Sequence, residues 1–196
     1  MAVNQATLFD LSVSEALPEG FAYRPEVISP EAESRLLAEI ARLPFQPFQF
    51  HGFEGKRRVV SFGWRYDFSA HKALPADPIP SFLREVCYEV QAASGFVLPG
   101  VEQVLITEYA PGAQIGWHKD RPVFGNVMGL SLAAPCRFRL RKVAADGTWE
   151  RVSLSLGPRS AYLLAGPARW IWEHSVPPVD SLRYSITFRT LRGAAG

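Results

Sequence analysis

Cysteine is nearly absent: the 196 residues contain only Cys87 and Cys136. Two thiols are too few for a disulfide framework, which points to a reducing compartment and a cytoplasmic protein. No run of about 18 apolar residues occurs, so no transmembrane helix and no membrane partner are expected. The N-terminal stretch MAVNQATLFDLSVSEALPEG has neither a basic start nor a continuous apolar segment, so it does not read as a secretory signal. Neither sign of charge dominates. Lys plus Arg is 21 and Asp plus Glu is 19, a net charge of +2, without the overall field of a highly basic nucleic-acid coat protein. The pI near 8.6 leaves room for a local basic face. What the chain does have is 47% hydrophobic residues, enough for one sizeable core and incompatible with global disorder. A monomer is expected.

Internal repeats, low-complexity tracts and linkers are also lacking, so residues 1–196 read as a single domain. Residues 1–28 look irregular, an N-terminal extension acting as a flap or edge strand. Residues 29–100 carry two helices and a candidate substrate lid. The first helix opens at Ser29-Pro30, serine capping and proline at the first helical position. Leu36, Ile40 and Leu43 share one face, and Pro44 ends the run. The second spans Ser81 to Ser94, with Phe82, Leu83, Val86, Cys87 and Val90 as its apolar stripe and Gly95 as its stop. Beyond residue 100 the texture changes to strands, at 101–109, 127–133, 136–143, 149–156, 160–165 and 182–190. Asp146-Gly147 marks a hairpin between two of them. Helices first and strands afterwards make an α+β fold, with helices packed on a double sheet or barrel.

Histidine is scarce, with four in the chain: His51, His71, His118 and His174. His118 stands in Gly116-Trp117-His118-Lys119-Asp120. If that stretch is extended, His118 and Asp120 point to the same side. Two histidines and one carboxylate leave open positions on Fe(II) for cosubstrate and oxygen, and His174 is the best third ligand. His51 and His71 lie in polar, loop-like stretches and read as surface residues. His-x-Asp alone is common by chance, so the case needs a second signal. It comes from Arg183-Tyr184-Ser185-Ile186-Thr187-Phe188-Arg189, where Arg183, Ser185, Thr187 and Arg189 share one strand face. Two inward arginines are costly unless an anion meets them, and a guanidinium fork suits a dicarboxylate. A solvated polar face is the plainer alternative for this strand taken alone.

Taken together, His118-x-Asp120, His174, Arg183 and Arg189 in this order resemble the Fe(II)/2-oxoglutarate dioxygenases, and specifically the AlkB family of nucleic-acid dealkylases. The likeness covers about residues 56–190. It is strongest at Tyr109-Ala110-Pro111-Gly112-Ala113, Gly166-x-x-Arg169 and Arg183-Tyr184-x-x-Thr187-Phe188-Arg189. It implies a double-stranded β-helix (jelly-roll) core over 101–190 and Fe(II) on His118, Asp120 and His174. It also implies 2-oxoglutarate and O2 as cosubstrates, with Tyr109 and Arg183 on the distal carboxylate and Arg189 near the metal-proximal end. Where the family often has asparagines, this chain has Thr107 and Ser185, still able to hydrogen-bond. The implied chemistry oxidises a substrate C–H bond; an N-methyl group so hydroxylated loses formaldehyde. Arg121-Pro122 replaces an acidic residue that the defining bacterial enzyme uses against the substrate base.

The segment Lys56 to Phe68 carries basic residues leading into a period-two aromatic stripe: Phe62, Trp64, Tyr66 and Phe68. Bases stack on aromatic rings at about 1–3 kcal/mol each, and phosphates favour Lys and Arg. Arg58, Phe62, Trp64 and Tyr66 are therefore the candidate substrate contacts, with alkylated DNA or RNA as partner. A buried aromatic face is the alternative for Phe62 and Phe68. Arg137, Arg139 and Arg141 form a second basic stripe that reads as a solvated strand face. The same machinery acting on a protein side chain or small molecule is the competing enzyme reading. A non-catalytic nucleic-acid-binding module is the competing class, opposed by the complete set of ligands and arginines.

Overall fold

A computed structural model describes residues 17–50 and 53–192. His51 and most of the N-terminal extension lie outside the described residues. The elements run β1 (Phe21–Arg24), α1 (Pro30–Ile40), β2 (Gln46–Phe50), β3 (Phe53–Phe62), β4 (Trp64–Asp67), β5 (Lys72–Pro75), α2 (Ser81–Ser94), β6 (Gln103–Tyr109), β7 (Ile115–His118), β8 (Phe124–Leu132), β9 (Cys136–Val143), β10 (Trp149–Leu156), β11 (Ser160–Leu164), α3 (Gly166–Trp170), β12 (Glu173–Val176) and β13 (Arg183–Leu191). The fold is α+β, with a seven-stranded sheet in the order β1-β11-β8-β13-β6-β3-β2 and a four-stranded sheet in the order β10-β9-β12-β7. β4 and β5 form a separate hairpin. Every pairing is antiparallel, the arrangement of a jelly roll.

Local chemistry sets the helices. Ser29 Oγ accepts a hydrogen bond from Ala32 N at 3.1 Å, Pro30 occupies the first turn, and Leu36 and Ile40 form the buried face. α2 ends on Gly95 in the left-handed conformation, with φ +73°. Among the described residues no helix is long and apolar enough to cross a membrane. Both cysteines are free and buried.

Strand alternation sorts the large sheet into two faces. Val104, Ile106, Met128, Leu130, Ile186 and Phe188 turn outward and join Leu36, Ile40, Leu83, Val86 and Val90 of the helices in one core. Fully burying a side chain of this size contributes about 1.5–3 kcal/mol. The opposite face meets the small sheet across a second core containing Tyr109, Val127, Phe138, Leu140, Tyr162 and Trp172. β13 lies centrally, paired with β6 on one side and β8 on the other. Its inward residues Arg183, Ser185, Thr187 and Arg189 therefore enter the sandwich.

The expected aromatic stripe through Phe62, Trp64, Tyr66 and Phe68 needs correction. Gly63 has φ +74°, and a Cβ there would run into the Glu102 carbonyl, so the chain kinks and the alternation restarts. Phe62 belongs to the helix-side core, 6% exposed. Trp64 begins the β4–β5 hairpin instead. The segment read as one lid is thus part sheet and part hairpin. In the region read as irregular, Phe21–Arg24 is an edge strand on β11.

Gly129 lies opposite Tyr162, whose ring occupies the place a Cβ would need. Gly129→Ala should destabilise the fold by about 1–3 kcal/mol in urea unfolding. Most of that cost should vanish when Tyr162 is also truncated to Ala.

Candidate active site

His118 closes β7 and His174 sits on β12, and the two are direct cross-strand partners. Their ring centroids are 4.2 Å apart. Asp120, two residues beyond His118, places Oδ2 3.9 Å from His174 Nε2. The ring of His118 directs Nδ1 to the Gly116 carbonyl at 2.8 Å. A carbonyl can only accept, so Nδ1 carries the proton and Nε2 keeps its lone pair. Burial drives the His174 pKa down to about 3, helped by the neighbouring His118. Burial also lowers that of His118, against the opposing pull of Asp120. Burial alone would raise the Asp120 carboxyl, but Arg189, followed by the two histidines, holds it well below the usual range. The trio thus offers two neutral imidazoles and one carboxylate, the protonation states a divalent metal requires.

Two buried arginines line the facing strand. Arg189 Nη2 donates to Asp120 Oδ1 at 2.8 Å and Nη1 to Gln103 Oε1 at 2.8 Å. Arg183 is 1% exposed, with its guanidinium carbon 5.1 Å from the Tyr109 ring centroid and Nε donating to Ser131 Oγ at 3.2 Å. Arg183 Nη1 and Arg189 Nε are buried with no hydrogen-bond partner. An unanswered buried donor costs about 1–3 kcal/mol, more when charged, so these atoms call for an anion. Thr107 and Ser185 face each other across β6 and β13, next to the Tyr109–Arg183 pair, and both are buried.

These residues fit Fe(II) and a dicarboxylate in donor chemistry. Among the described residues no group of three or more His, Cys, Asp or Glu side chains is already drawn together as a metal-holding cluster. The histidines and Asp120 are gathered but open, with one carboxylate oxygen taken by Arg189.

A family model of the 2OG-Fe(II) oxygenase superfamily matches residues 20–189. The chain belongs to that superfamily. Its relatives include proteins named ALKBH8 and AlkB. The tRNA (carboxymethyluridine(34)-5-O)-methyltransferase ALKBH8 of Mus musculus is 28% identical over 188 residues, covering 89% of this chain and 27% of its own length. The alpha-ketoglutarate-dependent dioxygenase AlkB of Salmonella typhimurium is 24% identical over 148 residues, covering 66% and 67%. The solved structure of OsALKBH1 superposes with a TM-score of 0.73 at 14% identity, covering 90% of this chain and 99% of that one. The chain thus spans about a quarter of the mouse relative. The superfamily is named for Fe(II) and 2-oxoglutarate, and the donor set gathered between the two sheets fits both.

Of the expected substrate residues, the structure brings one to the site. Tyr66 lines a cavity of about 570 Å³ whose walls include Phe48, Phe68, Asp120, Arg121 and Arg189. Trp64 is half-buried and is not among the residues lining it. Arg58 is a second correction. Strand alternation sends it to the helix side, where Nε meets Glu108 Oε1 at 2.7 Å and Nη2 meets Oε2 at 2.8 Å. Its neighbour Arg57 faces inward, partly buried, 3.8 Å above the Phe48 ring and opposite Tyr109. One residue of register separates the two, and no basic run reveals which member points inside.

Arg169 on α3 carries a task that sequence reading did not assign. It is 2% exposed. Nε donates to the Gly125 carbonyl at 2.7 Å, and Nη2 to those of Phe124 at 2.7 Å and Arg121 at 2.9 Å. Nη1 reaches the Asp120 carbonyl at 3.3 Å. The loop bearing Asp120 is thereby fixed through its backbone. Arg169→Gln should destabilise the protein by roughly 2–4 kcal/mol and weaken Fe(II) binding about tenfold or more. Urea unfolding and anaerobic Fe(II) titration check this, with Arg137→Gln as a surface control that changes neither.

Proposed function

We propose that this dioxygenase oxidatively dealkylates modified nucleobases in DNA or RNA. The observation carrying the reading is the wall of the cavity beside Asp120 and Arg189. Phe48, Phe68 and Tyr66 meet there edge to face, with centroids 5.5 Å and 5.1 Å apart, and Arg57 and Arg121 lie over the same rings. Aromatic faces interleaved with guanidinium groups suit a stacked base and its phosphate. The mouse relative is named for tRNA, which agrees.

In this reading His118, Asp120 and His174 hold Fe(II). Arg183 takes the distal carboxylate of 2-oxoglutarate through its unpartnered Nη1, with Tyr109, Thr107 and Ser185 around it. Arg189, positioned by Gln103, fixes the carboxylate of Asp120 and presents its free Nε to the metal-proximal end. Iron with 2-oxoglutarate supplies oxidation of a substrate C–H bond coupled to decarboxylation to succinate. The protein orients the base against the aromatic wall and keeps water from the buried donors. Hydroxylation of an N-methyl group leaves a hemiaminal that sheds formaldehyde.

Anaerobic addition of Fe(II) and 2-oxoglutarate should give a visible metal-to-ligand charge-transfer band, and Asp120→Ala should abolish it. Titrated through that band, Arg183→Gln should weaken 2-oxoglutarate by about tenfold or more while Fe(II) binding persists. Under turnover, methylated oligonucleotides should stimulate succinate and formaldehyde release. Stimulation by methylated peptides instead would overturn the nucleic-acid assignment and leave the cofactor chemistry standing.

A further inference from the structure

The cavity beside Asp120 carries an uneven set of charges, with Arg121 in excess among its lining residues and Arg57 over the neighbouring Phe48 ring adding to it. Its charged lining is Arg65, Asp77, Asp120, Arg121 and Arg189. Asp120 and Arg189 neutralise each other at 2.8 Å, and Arg65 is matched in number by Asp77. Arg121 is left over. No carboxylate pairs with it among the described residues. Its guanidinium carbon lies 4.9 Å from the Tyr66 ring centroid and 4.8 Å from that of Phe68. The backbone behind it is pinned, because its carbonyl accepts from both Arg169 Nη2 at 2.9 Å and Phe124 N at 3.0 Å. Arg121 therefore has a fixed root immediately after Asp120 and a permanently charged head among the rings that line the cavity.

We propose that Arg121 makes this site selective for neutral, carbonyl-bearing bases of the uracil, thymine or guanine type over bases that alkylation renders cationic. The inference rests on the nucleic-acid reading above and deepens it. A methyl group on N3 of cytosine or N1 of adenine leaves a fixed positive charge on the ring at neutral pH. Placed against the same rings, that charge meets the Arg121 guanidinium in a partly enclosed cavity, where like charges repel more strongly than in bulk. N3-methylthymine has nearly the same shape, no charge, and two carbonyl oxygens. Arg121, with five N–H donors and no acceptor, can donate to such an oxygen while keeping its contact with the rings.

The test is a pair of single-stranded oligonucleotides identical except for N3-methylthymine or N3-methylcytosine at one position. Formaldehyde release gives the ratio of kcat/KM values. Fluorescence anisotropy with Fe(II) and 2-oxoglutarate under anaerobic conditions gives the ratio of affinities. Both ratios are insensitive to a uniform loss of active protein. The wild type should favour the neutral base by about tenfold or more. Arg121→Gln should bring the two within about threefold, and Arg121→Glu should reverse the order. A wild type that prefers the cationic base, or an Arg121→Glu variant that keeps the wild-type ratio, would overturn the proposal alone. If neither oligonucleotide binds or reacts while the charge-transfer band forms normally, the nucleic-acid reading fails and the selectivity proposal goes with it.

Discussion

The buried contact between Arg189 and Asp120 organises the interior of the sandwich. It joins the middle strand of the large sheet to the loop that follows β7 of the small one, through a 2.8 Å bond between groups almost entirely removed from water. An unpaired charge in that position would be far costlier than the pair. Each side therefore depends on the other, and neighbouring groups are arranged to keep both fixed. Gln103 holds the far side of the Arg189 guanidinium, and Arg169 grips four backbone carbonyls, of Asp120 and Arg121 in the loop and of Phe124 and Gly125 at the start of β8. Asp120 stays ionised because of this setting, and both histidines stay neutral because burial opposes their charging.

The same strand carries two incompatible environments, and period-two alternation makes that possible. Tyr184, Ile186 and Phe188 belong with the helices, while Arg183, Ser185, Thr187 and Arg189 belong with the site. Stability and chemistry are thus separated by the pleat rather than by distance along the chain. The outer face can be packed tightly without touching the donors that point inward. Gly129, with the Tyr162 ring laid over it, shows how little room the inner face has left.

Much of this was legible in the sequence, for identifiable reasons. His118-x-Asp120 and the β13 alternation are each weak alone but specific together, and strand geometry converts each into a shared face. α1 and α2 announce themselves through Ser29-Pro30, their apolar stripes and Gly95. What could not be read depended on tertiary choices. The alternation of β3 sends Phe62 into the helix-side core, and Gly63 then resets it, leaving Tyr66 and Phe68 beside the cavity. In Lys56-Arg57-Arg58 every member is basic, so composition does not reveal which one faces Tyr109. Arg169 was visible as part of a motif, but its work is done on carbonyl groups, which every residue possesses and no sequence pattern marks.

The two imidazoles belong to the small sheet, whereas Arg183 and Arg189 belong to the large one. A metal held by the histidines with Asp120, and a dicarboxylate held by the arginines, would together act as a removable rivet through both layers. Filling the site then strengthens the whole sandwich by RT ln(1 + [L]/Kd), most of all against motions that part the layers. Loading of the site and resistance of the two layers to separation would, in this architecture, be thermodynamically linked.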